Sequence, residues 1–282
     1  MRFDHRIPVV FVSVLILVAG ITSGFQGKEF SQTVDFQPGD KITLKTFKGS
    51  ILLSSWDRPE VSIFARITAP EGEDDDYAAA VVDATRIDVQ QKSHSLVIRS
   101  DYDDVPSKGS WFSNSKTLAY VHYEIRTPRQ VDLRVDDFKS TIELYELSGR
   151  INLETYKGTL KANDLSGKIR LETFKGKAEL SGLRGRLDVE TFKGSVSLQA
   201  MEIDGTSKLE TYKGNIELAI PETQGLSLRA DLGRRASLTG DFGLDSARRD
   251  RRDSTRFEGS INNGGPRLEV SSHKGDIRLK RW

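Results

Sequence analysis

LSGRINLETYKG (147–158), LSGKIRLETFKG (165–176), LRGRLDVETFKG (183–194) and IDGTSKLETYKG (203–214) are versions of one phrase. Their Thr-[Tyr/Phe]-Lys-Gly ends, starting at Thr155, Thr173, Thr191 and Thr211, recur at intervals of 18, 18 and 20 residues. A fixed period of this length marks an architecture in which one supersecondary unit is copied and stacked. Glycine falls at 149, 158, 167, 176, 185 and 194, then at 205 and 214, so a turn residue arrives every nine residues with one two-residue insertion. Each half-unit reads as one short strand and one corner, and glycine suits corners because it reaches φ > 0 without a Cβ clash.

Between corners the sequence alternates with period two, as a strand with one buried face should. Ile151, Leu153 and Thr155 fall on one side, with Asn152, Glu154 and Tyr156 on the other. Ile169, Leu171, Thr173 and then Leu187, Val189, Thr191 repeat the inner set, while Arg170, Glu172, Asp188 and Glu190 face out. A unit of about 18 residues cannot bury an apolar face alone, so copies must cover one another. The chain is therefore read as all-β, a parallel β-solenoid in which each two-strand unit is one coil and like residues lie above like at ~4.8 Å. The alternative is an antiparallel meander folded into a sandwich. Identical corners at the full period favour the solenoid, and outward charges such as Glu154, Lys161 and Arg170 argue against a lipid-facing barrel.

The phrase also appears around Phe47-Lys48-Gly49, Phe138-Lys139-Ser140 and His273-Lys274-Gly275, so the repeat spans nearly the whole chain. Two inserts interrupt it. One, roughly 70–128, carries an acidic loop (Glu71 to Asp76), one short helix at Tyr77–Thr85 and strands near 87–90, 96–99 and 119–125. The other, 244–256, interleaves Arg248, Arg249, Arg251, Arg252 and Arg256 with aspartates and reads as a solvated loop. The organisation is then a targeting segment (1–24), an N-terminal β region (25–128), a regular stack (129–220) and degenerate C-terminal repeats (221–282).

Lys+Arg 42 against Asp+Glu 41 leaves a net charge of +1, so no global field draws the protein to nucleic acid. The absence of cysteine excludes disulfides, thiolate metal sites and thiol nucleophiles. At the N-terminus, Arg2, His5 and Arg6 precede an apolar run over residues 7–21, then Thr22-Ser23-Gly24. The run is shorter than the ~20 residues of a spanning helix and has the flanks of a secretory signal. The expectation is export to the periplasm or cell surface, with membrane contact only through residues 7–21 if they remain uncut.

The repeated [Ile/Leu/Val]-x-[Leu/Val]-x-Thr-[Phe/Tyr]-Lys-Gly units, led by Tyr123-Glu-Ile-Arg-Thr-Pro128 and Val131-Asp-Leu133, resemble the bacterial putative-adhesin family of β-strand-repeat proteins over about residues 35–282. The resemblance implies an exported envelope component with a stacked β fold and no recognised active site.

In-register coils predict side-chain columns. Tyr156, Phe174, Phe192 and Tyr212 form one, Lys157, Lys175, Lys193 and Lys213 another, with Glu154, Glu172, Glu190 and Glu210 nearby. These aromatic and lysine residues are the candidate ligand-binding set, for an envelope glycan or envelope protein; the bland reading is that the rings fold over the end of the core. The threonine column should point inward, each hydroxyl bonding a neighbouring coil. No metal, cofactor or catalytic residue is expected. The histidines, His5, His94, His122 and His273, lack metal-ligand spacing. A parallel β-helical glycan-cleaving enzyme would need two carboxylates with divergent pKa values, whereas repetition makes equivalent ones. A scaffold or adhesin-like binding module is therefore the reading; the alternatives are that enzyme and an anchored envelope-stress subunit.

Overall fold

A computed structural model describes residues 27–110, 113–242 and 254–282; the apolar N-terminal segment and most of the arginine-rich loop lie outside the described residues. The N-terminal part contains β1 (Gly27–Asp35), β2 (Lys41–Lys45), β3 (Lys48–Trp56), β4 (Glu60–Thr68), α1 (Asp75–Ala84), β5 (Arg86–Lys92), β6 (Ser95–Asp101), β7 (Lys108–Ser110), β8 (Ser113–Ser115) and β9 (Tyr120–Pro128). The regular part contains β10 (Gln130–Asp137), β11 (Lys139–Thr155), β12 (Thr159–Thr173) and β13 (Lys177–Thr191). After it come β14 (Ser195–Ile203), β15 (Ser207–Thr211), β16 (Asn215–Ile220), β17 (Leu226–Gly233), β18 (Ser237–Gly240), β19 (Ser254–Ile261), β20 (Arg267–Ser272) and β21 (Asp276–Arg281).

β11, β12 and β13 are each bent strands, and every bend sits on a left-handed residue: Glu146 (φ 59), Asp164 (φ 55) and Gly182 (φ 66). Each strand therefore contributes one arm to each of two hydrogen-bonded layers. The first layer runs β5-β6-β2-β10-β11-β12-β13-β15-β20-β17-β19, and the second β1-β4-β9-β3-β11-β12-β13-β14-β16-β21-β18. The central pairings are parallel and offset by one period: Ile151 pairs with Ile169 and Ile169 with Leu187, while Leu160 pairs with Ala178 and Ala178 with Val196. This is the expected solenoid, not the meander.

The alternation supplies the core directly. Leu44, Val135, Leu153, Leu171, Val189, Leu209 and Val270 form a buried column in the first layer. Leu53, Leu144, Ala162, Leu180, Leu198, Leu218 and Leu279 do so in the second. Fully burying each such Leu or Val side chain contributes roughly 1.5–3 kcal/mol before chain entropy is counted.

Chain order and spatial order diverge at both ends. β2 and β3 pack directly on β10 and β11, and the segment that follows them in sequence, β4 to β9, folds outward beyond them. At the other end β20 and β21 lie against β15 and β16, and the earlier strands β17 and β18 are pushed outside. Both ends of the stack are thus capped by strands set out of chain order. Each finishes in antiparallel pairs, β1–β4, β4–β9 and β5–β6 at one end and β17–β19 at the other. Helix α1 belongs to the N-terminal cap: Asp74 caps it by accepting from the Tyr77 N–H at 2.9 Å, and it buries Ala78, Val81 and Val82. In the acidic loop Asp74 is the helix cap, and Glu73 accepts from the Thr117 hydroxyl at 2.8 Å.

The glycine columns have two causes. Gly149, Gly167 and Gly185, three residues after the bends, have positive φ (119, 106 and 116), and an added Cβ there would also meet the carbonyl oxygen of Val131, Gly149 or Gly167. Gly158, Gly176 and Gly194 lack the positive φ; an added Cβ would come within 3.0 Å of the carbonyl oxygen of Ser140, Gly158 or Gly176, respectively, in the coil below. There glycine is required because successive corners pile up without room for a side chain.

Candidate functional site

The Thr-aromatic-Lys-Gly corner is built from the core outward. Thr155, Thr173, Thr191 and Thr211 end the buried face and are themselves buried. Their hydroxyls serve their own corner rather than the neighbouring coil: Thr155, Thr173 and Thr191 accept from the N–H of Gly158, Gly176 and Gly194 at 3.1, 3.0 and 2.9 Å. Thr211 instead donates to the Gly214 carbonyl at 2.9 Å. Only Thr155 also reaches a neighbour in the expected sense, donating to Asp137 at 2.9 Å. With the corner closed locally, its backbone continues the inter-coil ladder. The N–H of Lys157, Lys175, Lys193, Lys213 and Lys274 donates to the carbonyl of Phe138, Tyr156, Phe174, Phe192 and Tyr212, at 2.8–2.9 Å in each case.

That ladder holds the aromatic rings in one file. Phe47, Phe138, Tyr156, Phe174, Phe192, Tyr212 and His273 stack in sequence with centroids 4.5, 5.0, 4.6, 4.7, 4.8 and 4.7 Å apart. From Phe138 onward the planes agree to within 7°. The rings lie outside the core: Tyr156 and Tyr212 are each 37% exposed, and Phe174 and Phe192 are half-buried. Every interior ring face rests on another ring, so edges alone meet solvent. This matters for chemistry, because a sugar ring stacks on an aromatic face and these faces are taken.

Two charged columns flank the rings, and they differ. On one side Asp136, Glu154, Glu172, Glu190 and Glu210 align on successive coils. Glu154, Glu172 and Glu190 of this column, together with Phe138, Tyr156, Phe174 and Phe192, wall a shallow groove of about 450 Å³. Arginines neutralise its lower half: Arg134 bonds Asp136 and Glu154 at 2.7 and 3.2 Å, and Arg170 bonds Glu172 and approaches Asp188 at 3.4 Å. Glu190 has no such partner among the described residues, and partial burial with the charges of Glu210 and Glu172 raises its pKa.

On the other side stand Lys139, Lys157, Lys175, Lys193, Lys213 and Lys274. Among the described residues no carboxylate lies within 4.0 Å of any of these ammonium groups. Lys157, Lys175, Lys193 and Lys213 hold their Nζ atoms 5.5, 5.5, 5.5 and 5.6 Å from the centroid of the preceding ring. The bottom rung is different: Lys48 turns onto the Tyr120 ring at 4.1 Å, and burial lowers its pKa. All eight sequence-nominated residues, Tyr156, Lys157, Phe174, Lys175, Phe192, Lys193, Tyr212 and Lys213, thus sit on one ridge. Phe47, Phe138, Lys139, His273 and Lys274 extend it, and their copies of the phrase carried that signal.

A repeat solenoid with a continuous cationic ridge is the class this geometry defines. Residues 150–280 match the family model described as Toastrack DUF4097. No curated protein matches the sequence. Among solved structures, the chain is similar to a putative cell adhesion protein from Clostridium sporogenes ATCC 15579, with 11% identity and a TM-score of 0.31, over 90% of this chain and 100% of that one. It is likewise similar to a putative adhesin from Bacteroides fragilis NCTC 9343, with 12% identity and a TM-score of 0.28, over 90% of this chain and 97% of that one. At such scores no role transfers. Among the described residues no helix is long and apolar enough to cross a membrane, and no cluster of His, Asp and Glu could hold a metal ion.

Proposed function

We propose that this protein is an exported, non-catalytic scaffold of the cell envelope whose lysine ridge binds an extended anionic glycan. One observation carries the reading: six lysines in register, facing solvent without a counter-charge. Like charges on adjacent rungs repel, by just under about 1 kcal/mol per pair in water, and the carboxylate column shows that this chain can place arginines where it needs neutralisation. A linear polyanion laid along the stack would relieve that repulsion on every rung at once. Because the ring faces are occupied, charge rather than sugar stacking would provide the affinity, and binding should weaken as salt screens it.

Catalysis is disfavoured by the same repetition. Glu154, Glu172, Glu190 and Glu210 repeat one carboxylate on successive rungs, three of them along an open groove, and the upward shift at Glu190 comes first from partial burial and then from the charges of Glu210 and Glu172 in that column. An acid–base pair instead needs two environments that differ. Export rests on the apolar segment at residues 7–21. The test is retention on immobilised anionic cell-wall glycan against a neutral glycan. The wild-type chain should be held by the first alone, and the Lys157→Glu, Lys175→Glu, Lys193→Glu variant by neither; equal retention of the two proteins would remove the reading.

A further inference from the structure

The ring column stops one coil before the solenoid does. β17 lies parallel on β20, with Asp231 opposite Ser271 and Leu232 opposite Ser272. The next rung therefore places Gly233 over His273, and an ideal Cβ at Gly233 would stand 2.5 Å from the His273 carbonyl oxygen. Where seven earlier coils supply a phenylalanine or tyrosine, or finally the histidine, the outermost coil supplies no side chain at all. One side of the His273 ring lies on Tyr212 at 4.7 Å and 4°. Beyond the ring opens a cavity of about 540 Å³ bordered by Asp231, Gly233, Arg234, Arg235, Ser271 and Lys274. That volume is within the usual range for a small-molecule site.

The rim is chemically specific. Arg234, Arg235 and Lys274 bring positive charge, while Asp231, the one carboxylate among the described lining residues, is engaged by Arg256 at 3.3 Å. A ring entering here at the column's spacing would find an aromatic platform on one side and cationic donors at its edge. Offset stacking of this kind is worth about 0.5–1.5 kcal/mol beyond the area it buries. Guanidinium groups in turn favour carboxylate, sulfate or phosphate through paired N–H donors. We propose that this terminal slot binds a small planar-ring compound bearing an anionic group, its ring continuing the stack on His273 and its anion held by Arg235. The site shares His273 and Lys274 with the end of the ridge but none of Lys157, Lys175 and Lys193: it takes one discrete molecule at one end of the stack, and it survives if the ridge reading fails.

Adenosine 5′-monophosphate serves as the probe, with adenosine and inorganic phosphate as its two halves, added to the full chain and followed through the ring protons of His273 by NMR. The monophosphate should move those resonances upfield at millimolar concentration, and each half should bind at least tenfold more weakly. Arg235→Glu, a surface change, should weaken the monophosphate at least tenfold, whereas the triple lysine variant of the ridge should leave it unchanged. His273→Phe should keep the binding and His273→Ala lose it, both measured by calorimetric titration with the monophosphate because neither variant carries the reporter ring. Absence of the shift, affinity indifferent to Arg235→Glu, or phosphate binding as tightly as the monophosphate would overturn the assignment.

Discussion

The central coils and the capped ends obey the same column rules by different means. Between Lys139 and Gly194 the chain winds once every 18 residues, and spatial neighbours are also successive coils in the sequence. At the C-terminal end the column partner of Thr211 is Ser272, 61 residues on, with the outer coil added beyond it later in space but earlier in the chain. Yet the ring, threonine-type hydroxyl and glycine positions remain aligned: Tyr212 stacks on His273, Ser272 accepts from the Gly275 N–H, and Gly275 lies on Gly214. The comparison teaches that vertical alignment is the conserved constraint within this molecule. Long excursions are tolerated wherever they can be set outside the stack.

The comparison is broken most severely at a stacked glycine. Gly176→Val places a side chain against the Gly158 carbonyl, where neither backbone can move without disturbing two coils, and should cost about 3 kcal/mol or more in a denaturant titration. Gly205→Ala, in the two-residue insertion, meets no atom within 4 Å and has only its φ of 62 to overcome, so about 1 kcal/mol is expected. A glycine at 205 as costly as one at 176 would mean that clearance is not the cause. Ring deletion sharpens the same contrast. Phe174→Ala removes two stacked neighbours and should cost about 1–3 kcal/mol; Phe47→Ala removes one and should cost about half as much, measured in the same way.

The smallest effect concerns charge. Glu190 has a raised pKa in the folded state, so the folded protein holds its proton more tightly than the unfolded chain. Its contribution is complete below the unfolded pKa and is lost as pH rises through the folded one. Glu190→Gln should therefore raise stability at pH 7, by a few tenths of a kcal/mol because the site is solvent-screened, and should have no stabilising effect at pH 3. Melting curves at the two pH values check the sign.

Much of this was legible because period-two alternation and repeated corners act locally. The strands, the inward threonines and the placement of Tyr156, Phe174, Phe192 and Tyr212 with their lysines on one line follow from spacing, and the short helix expected at Tyr77–Thr85 is found at Asp75–Ala84. Three features did not. The bends at Glu146 and Asp164 use left-handed residues that are not glycine, so the glycines three positions later drew the eye instead. The threonine hydroxyls close their own turns, a choice between two partners that alternation cannot make. The out-of-order coils depend on pairings such as Ser207 with Leu268, for which no local signal exists. As for the site, residue identity placed the ridge, but only coordinates show that ring faces are consumed by stacking while the lysines are left unpaired.

That last contrast is most directly examined by titrating the full chain with a linear polyuronate and with uncharged dextran, at low and at physiological salt. The account predicts saturable binding of the polyuronate alone, weakened by salt and lost in the Lys157→Glu, Lys175→Glu, Lys193→Glu variant, which should keep the wild-type melting temperature or exceed it. Binding of dextran as tight as that of the polyuronate, or polyuronate affinity indifferent to the three substitutions, would contradict it.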